Sequence, residues 1–336
     1  MRITLVAGAI AAVALAAGCA GIASQNAAPA APSLRSAAAS ADSLPTVVAP
    51  FAATRRGLAP HPMQRGRGWL SPAASHCKNK LFVSTFRLNY VSIYCERGHN
   101  QAPIGQITDG IDGPEGAVTD AAGNLYVANA DGVAEYAPGT IDPSFTYSTG
   151  LGAPTDVAVD SKGNVYVSNV SPSGSVVVFP QVSNTPSLTI TGVYYPIGVA
   201  LDASNNLYVT YETYGFSEGQ INEYAPGSTT GTNLNITIGF AGMITIDSSG
   251  DIVTTDQKAD DVAVYPPGAT QPSETFGNSP DPVAIALSRH ENQVYVGDSI
   301  ASAVYVYHYP SGKRVDTISD GVDQAVGVAL SKPAPL

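Results

Sequence analysis

Six oxygen-bearing side chains stand at recurring places along this 336-residue sequence: Glu115, Asn129, Asp156, Asn169, Asp256 and Asp298. Asn129, Asn169, Asp256 and Asp298 each follow an apolar segment of the L-Y-V kind, and Tyr211 takes the same place in another copy. Glu115 and Asp156 stand at the start of a different apolar segment. Gathered around one opening, such oxygens could hold a cation or a polyol. Asn and Asp also simply suit the passage from strand to turn. The loop YETYGFSEG, Tyr211 to Gly219, adds Tyr211, Tyr214 and Phe216. Their rings suit a sugar, a partner protein or a neighbouring part of the fold. Nucleophilic and acid–base chemistry has little to work with. His61, His76, His99, His290 and His308 form no recognised arrangement with Ser or Cys, and G-x-S-x-G and phosphate-loop motifs are absent. The acids of DQKADD, from Asp256 to Asp261, lack the ordered spacing of a calcium loop. No catalytic or metal-binding residue is assigned.

Those oxygens can meet only if the chain returns repeatedly to one place. Strand centres at Phe82, Tyr126, Tyr166, Tyr208, Val253 and Tyr295 lie 44, 40, 42, 45 and 42 residues apart. Several short strands per repeat, at a period in the low forties, mark the blades of a β-propeller. Each full unit has an apolar strand ending near an Asp (Asp120, Asp160, Asp202, Asp247), a Gly/Asn turn and an L-Y-V strand. A third strand then ends in Tyr or Phe, and a fourth comes after it, as in SFTYST, SLTIT, LNITI and RVDTI. The repeated YAPG at Tyr136 and Tyr224 is punctuation: Tyr closes a strand, Pro lacks a ladder N–H, and Gly takes the turn. The first repeat lacks its inner strand, and AVGVALS, Ala325 to Ser331, matches the missing piece. The sequence therefore predicts an all-β, six-bladed propeller whose C-terminal strand completes the first blade.

Charge divides the chain. Residues 1–80 carry eight Lys/Arg and one acid, Asp42, whereas residues 81–336 carry eight basic and 26 acidic side chains. An acidic body repels phosphate backbones, which excludes nucleic acid as the expected partner. The opening MRITLVAGAIAAVALAAGCAG has the charged start, apolar run and small residues of a secretory signal, residues 1–18. Leu15-Ala16-Ala17-Gly18-Cys19 resembles a bacterial lipobox with its Leu one position early, which implies lipidation of Cys19. Ordinary secretion with cleavage nearby is the alternative. An Ala/Pro/Ser/Gly-rich tether then spans 19–75, the propeller 76–331 and a tail 332–336. In an exported protein Cys77 and Cys95 can pair. Setting Leu81 opposite Val91 in a hairpin places the two cysteines directly across from each other.

The cadence D-x-x-G-N-L-Y-V at Asp120–Val127 and Asp160–Val167, with Asn for Gly at Asp202–Val209, resembles NHL-type and SMP-30/gluconolactonase-like six-bladed propellers. The resemblance covers roughly residues 77–331 and concerns fold more than activity. In gluconolactonase-like enzymes, acidic and amide side chains at inner-strand starts converge on a divalent metal. The matching positions here are Glu115, Thr155, Ile197, Gly242, Val283 and Val326, of which only Glu115 looks like that family's glutamate. One carboxylate among apolar partners is a poor hard-cation site.

The resulting expectation is a monomeric, non-catalytic recognition or scaffold module at the cell envelope. It would bind a protein or small ligand, need no cofactor and touch the membrane through its lipid alone. The alternative is a hydrolase or lyase using the polar channel face, Glu115 and a divalent cation. Lipidation has a direct check: palmitate labelling of the full-length protein should be lost in Cys19→Ser, and labelling that survives rules the anchor out.

Overall fold

The computed structural model describes residues 66–96, 98–171 and 173–331. The predicted signal, Cys19, most of the predicted tether and the tail lie outside them. Six antiparallel sheets make six blades. The first contains β1 (Trp69–Leu70), β2 (Lys80–Thr85), β3 (Tyr90–Cys95) and β4 (Gly105–Ile107). The second contains β5 (Ala117–Thr119), β6 (Leu125–Asn129), β7 (Gly132–Tyr136) and β8 (Phe145–Tyr147). The third contains β9 (Pro154–Val159), β10 (Val165–Asn169), β11 (Ser175–Phe179) and β12 (Leu188–Thr191). The fourth contains β13 (Pro196–Leu201), β14 (Leu207–Glu212), β15 (Gly219–Tyr224) and β16 (Thr232–Ile238). The fifth contains β17 (Ala241–Ile246), β18 (Ile252–Asp256), β19 (Asp261–Tyr265) and β20 (Glu274–Phe276). The sixth contains β21 (Pro282–Leu287), β22 (Gln293–Asp298), β23 (Ala303–His308) and β24 (Arg314–Ile318).

The last strand, β25 (Ala325–Leu330), joins the first sheet beside β2, with Leu81 opposite Leu330 and Val83 opposite Val328. The predicted clasp is therefore present. It sets β25 between β21 and β5, so the inner strands form a closed ring.

The core is distributed between blades. One apolar cluster joins Ile93 and Ile107 of the first blade to Leu125 and Tyr136 of the second. Another joins Tyr126 and Tyr147 to Val167 and Phe179 of the third. A third sets Val176 and Ile190 against Val209 and Tyr224 of the fourth. Because both sheet faces are covered, central strands read as near-continuous apolar runs such as VYV and SVVVF.

The recurring polar letters build turns. Asp120, Asp160 and Asp202 each accept from the backbone N–H four residues on, at 2.8 Å, and from the Asn side chain of that same residue. Between them the chain must enter the left-handed region. Gly123 and Gly163 do so at φ 88° and 82°, and Asn205 replaces them at φ 63°. In YAPG, Gly139 has φ 77° and Thr140 N–H donates to the Ala137 carbonyl, which confirms a turn.

Two expectations need correction. Cys77 and Cys95 are bonded, with Cα atoms 5.5 Å apart, but the predicted hairpin register is three residues out. Leu81 faces Tyr94, Lys80 faces Cys95, and Cys77 lies before β2 begins. Both faces of this hairpin are buried, Leu81 and Tyr94 on one side and Ile93 on the other, so apolar pattern does not select a register. The turn selects it. Asn89, at φ 57°, closes the loop with its N–H on the Thr85 carbonyl, and Thr85 Oγ1 donates to the Tyr90 carbonyl.

The second correction concerns the predicted tether, whose end carries structure. β1 pairs with β4, Trp69 opposite Gln106, and a 3-10 turn covers Pro72–Ser75. A two-residue edge strand is too short for its apolar alternation to be read.

Truncation after Gln324, which removes β25, should abolish a cooperative melt followed by circular dichroism. The double change Cys77→Ser, Cys95→Ser should keep the melt cooperative and cost about 3 kcal/mol, the usual chain-entropy value for a short closed loop.

Candidate functional site

The second strand of each blade ends on the same side of the ring, and two consecutive residues there organise the surrounding loops. The first of the two is a cap. Asn129 Oδ1 accepts from Asp112 N–H at 3.2 Å, and Asn169 Oδ1 accepts from Gly152 and Ala153 N–H at 2.8 and 2.9 Å. Asp256 accepts from Gly239 and Phe240 N–H at 2.6 and 3.0 Å, and Asp298 from Asp281 N–H at 3.1 Å. In every case the donor lies in the loop that enters the inner strand of the same blade. Asp298 also accepts from Ser279 Oγ and from Ala301 N–H. The spacing predicted this ring of Asn and Asp, and the structure places its members equivalently. Their oxygens are engaged by backbone.

Tyr211 occupies the corresponding place in the fourth blade and turns to other partners. Its hydroxyl lies 3.0 Å from Gln220 Oε1 and accepts from Asn233 Nδ2 at 2.9 Å.

Asp156 lies deeper, on an inner strand lining the central channel, a cavity of about 220 Å³ walled also by Val118, Val199, Met243 and Val328. Its two oxygens accept from Val157 N–H at 2.9 Å and from Val199 N–H of the next blade at 3.0 Å. On the other side it abuts Gly116, where a Cβ would come within 2.4 Å of Asp156 Oδ1. The carboxylate thus ties its own inner strand to the next and packs closely on Gly116 before β5. Burial raises its pKa to about 7 despite those two N–H groups. Glu115 is also buried, at 5% exposure, in the segment leading to β5. Among the described residues no group of three or more His, Cys, Asp or Glu is placed to hold a metal ion.

The inner-strand starts do not converge as a polar set. Ile197, Val283 and Val326 pack with Phe240 and Ala241 in one buried apolar cluster, against which Phe86 and Phe216 rest. At three of the six matching positions an apolar plug stands where a metal site would place oxygens.

The second of the two consecutive residues forms another ring, which sequence reasoning missed. Backbone N–H groups of Phe86, Ala130, Val170, Glu212, Gln257 and Ser299 donate to the carbonyls of Gln324, Asp112, Ala153, Tyr195, Phe240 and Asp281. One such residue comes from each blade. Glu212 and Gln257, from adjacent blades, both reach Ala241. Glu212 Oε1 accepts from Ala241 N–H at 2.8 Å, and Gln257 Nε2 donates to the Ala241 carbonyl at 2.9 Å. The remaining oxygens, Glu212 Oε2 and Gln257 Oε1, are buried without a hydrogen-bond partner. Glu212 is fully buried and its pKa is raised to about 7, first by desolvation and then by Asp256, with Ala241 N–H and Lys258 opposing. The available signal was position: both come directly after a residue already singled out, Tyr211 and Asp256.

With this geometry the chain is a six-bladed β-propeller. Residues 104–133 match the family model described as strictosidine synthase-like, N-terminal. Among curated proteins, no sequence matches the chain. Among solved structures, a chain of a nidogen/laminin complex superposes with a TM-score of 0.63 at 15% identity, over 76% of this chain and 100% of that one. A protein of unknown function from Bacteroides caccae gives a TM-score of 0.60 at 10% identity, over 76% and 99%. A functionally unknown protein from Desulfotomaculum acetoxidans DSM 771 gives 0.54 at 16%, again over 76% and 99%. At these identities the likeness concerns the fold.

Glu212 makes folding pH-dependent. An unfolded glutamate loses its proton near its ordinary value of 4.5, whereas folded Glu212 holds it to about 7. Stability from this residue is therefore complete below 4.5 and lost as pH rises through 7, on the order of 3 kcal/mol. Denaturant titrations should show Glu212→Gln more stable than the wild type at pH 8 and equal to it at pH 4.

Proposed function

We propose that this protein is a recognition module displayed at the cell envelope by a lipid on Cys19, with its ligand or partner bound on the face where the second strands end. The observation that carries this reading is the plug. Ile197, Val283 and Val326 stand at the positions where a metal-dependent lactonase of the resembling family would place oxygen ligands, and they pack instead on Phe240 and Phe86. The Asn and Asp side chains around the mouth are bonded to backbone, which suits a rigid frame for a binding surface. One structural neighbour comes from a complex of two proteins, nidogen and laminin, in keeping with a propeller used for recognition. An acidic body is consistent with a protein or neutral ligand rather than a polyanion.

The competing reading is a hydrolase or lyase that uses Glu115 and a divalent cation. Calorimetric titration of the full-length protein with calcium, and melting with and without it, separates the two. The recognition reading expects no stoichiometric heat and no shift in melting temperature. Stoichiometric calcium binding that disappears in Glu115→Gln, together with lactone hydrolysis, overturns it.

A further inference from the structure

Beside the plug, on the fourth blade, four aromatic rings meet. Tyr194 and Tyr195 lie in the segment entering β13, and Tyr214 and Phe216 lie in the hairpin between β14 and β15. Tyr194 is centred 4.8 Å from Tyr195, 5.7 Å from Tyr214 and 5.8 Å from Phe216, and Tyr195 lies 4.7 Å from Phe216. Tyr214 is 88% exposed, the most open large apolar side chain of the described residues. Tyr195 and Phe216 hold φ at 43° and 55°, a region costly for bulky residues, so presenting these rings strains the backbone.

This aromatic face leads to the two orphaned oxygens. Glu212 is the last residue of β14, immediately before the hairpin that carries Tyr214 and Phe216, and its N–H donates to the Tyr195 carbonyl at 3.3 Å. Phe216 rests on the cluster containing Ala241, whose N–H and C=O hold Glu212 and Gln257. One side of the location is thus apolar and open. On the other side of Ala241's cluster stand two buried polar atoms, Glu212 Oε2 and Gln257 Oε1, whose hydrogen bonds are unmade.

We infer that this is a saccharide-binding site: a pyranose ring stacks on Tyr214 and its neighbours, Phe216 turns aside, and two hydroxyls, each able to donate or accept, hydrogen-bond with Glu212 Oε2 and Gln257 Oε1. The chemistry selects this class. The orphaned atoms need hydrogen-bond partners, and the rings need an apolar face, which a pyranose supplies through its C–H groups. A buried polar atom left unpaired is costly, so a ligand that meets both relieves a standing penalty. Lys258 already acts on Glu212 as a positive charge, and the raised pKa leaves that carboxyl part-neutral near pH 7. Both favour a neutral polyhydroxyl ligand over a cation. The inference rests on the recognition reading and names its ligand.

The test uses the full-length protein on an array of neutral mono- and oligosaccharides, followed by calorimetry with the best binder and, separately, with tetramethylammonium. Binding of at least one saccharide is expected, weakened about tenfold in Tyr214→Ala and in Glu212→Gln. Tyr214 is exposed, so its truncation leaves folding intact. Binding to monosaccharides as well as oligosaccharides would indicate a pocket for one ring, and binding to oligosaccharides alone a glycan segment; either supports the site. No saccharide binding, saccharide binding unchanged in both variants, or binding of tetramethylammonium alone overturns it. Those failures leave the calcium titration untouched, so loss of this site and loss of the recognition reading are distinguishable.

Discussion

The pairing of β2 with β25 is the constraint on which the rest of the molecule depends. A blade here has no apolar face turned to solvent, since its two faces are cores shared with the blades on either side. If the ring opened, β2 would become a free sheet edge, and Leu81, Val83 and Val328 would lose their shared cluster with the sixth blade. Closure by the last strand makes the fold cooperative over a long series of short hairpins, although each hairpin is itself a nearest-neighbour structure. The disulfide and the edge strand β1 brace the same blade, which is the one assembled from both ends of the folded chain.

Closure also explains the make-up of the channel mouth. Inner strands brought together around an axis present their starting residues to one another, and something must fill that centre. Here the filling is apolar, and the polar groups next to it are engaged in holding the loops that enter the inner strands. Asn129, Asn169, Asp256 and Asp298 each replace backbone bonds that a tight entry loop could not otherwise make. Their recurrence is an architectural requirement repeated from blade to blade. The same holds for Asp120, Asp160 and Asp202 at the opposite ends of the strands.

This distinction sets how much could be read from the sequence. Blade number, the fourth strands and the clasp were legible because each is written several times at a near-constant period. The register of the Cys77–Cys95 hairpin was not. Burial on both faces erases the alternation that would mark it, and the decision passes to Asn89 and Thr85 in the turn. The mouth was half legible. The capping ring could be found by position, but its polar letters look alike whether they bind ligand or backbone. Glu212 and Gln257 were missed because their ring carries Phe, Ala, Val, Glu, Gln and Ser in its six places. A ring that is not repetitive in composition gives no periodic signal, and that irregularity is what specificity for a ligand requires.

Hydrogen-bond satisfaction separates function from framework in the same way. Among the described residues the buried side-chain atoms without partners are Ser84 Oγ, Glu212 Oε2, Gln257 Oε1 and Tyr307 Oη. Ser84 lies against Gly327, and Tyr307 packs among apolar residues of the last two blades with its hydroxyl near the Asn278 backbone, each a single hydroxyl. Glu212 and Gln257 differ in kind, because they come from different blades and converge on the two polar groups of one residue, Ala241. A frame built only for stability would favour an apolar residue at both places, as Ala130 and Val170 show at the equivalent positions of the second and third blades. Retaining a fully buried carboxyl and an amide there costs stability at neutral pH. The aromatic hairpin beginning one residue beyond Glu212 places that cost beside the most open rings of the molecule, where a bound ligand can offset it.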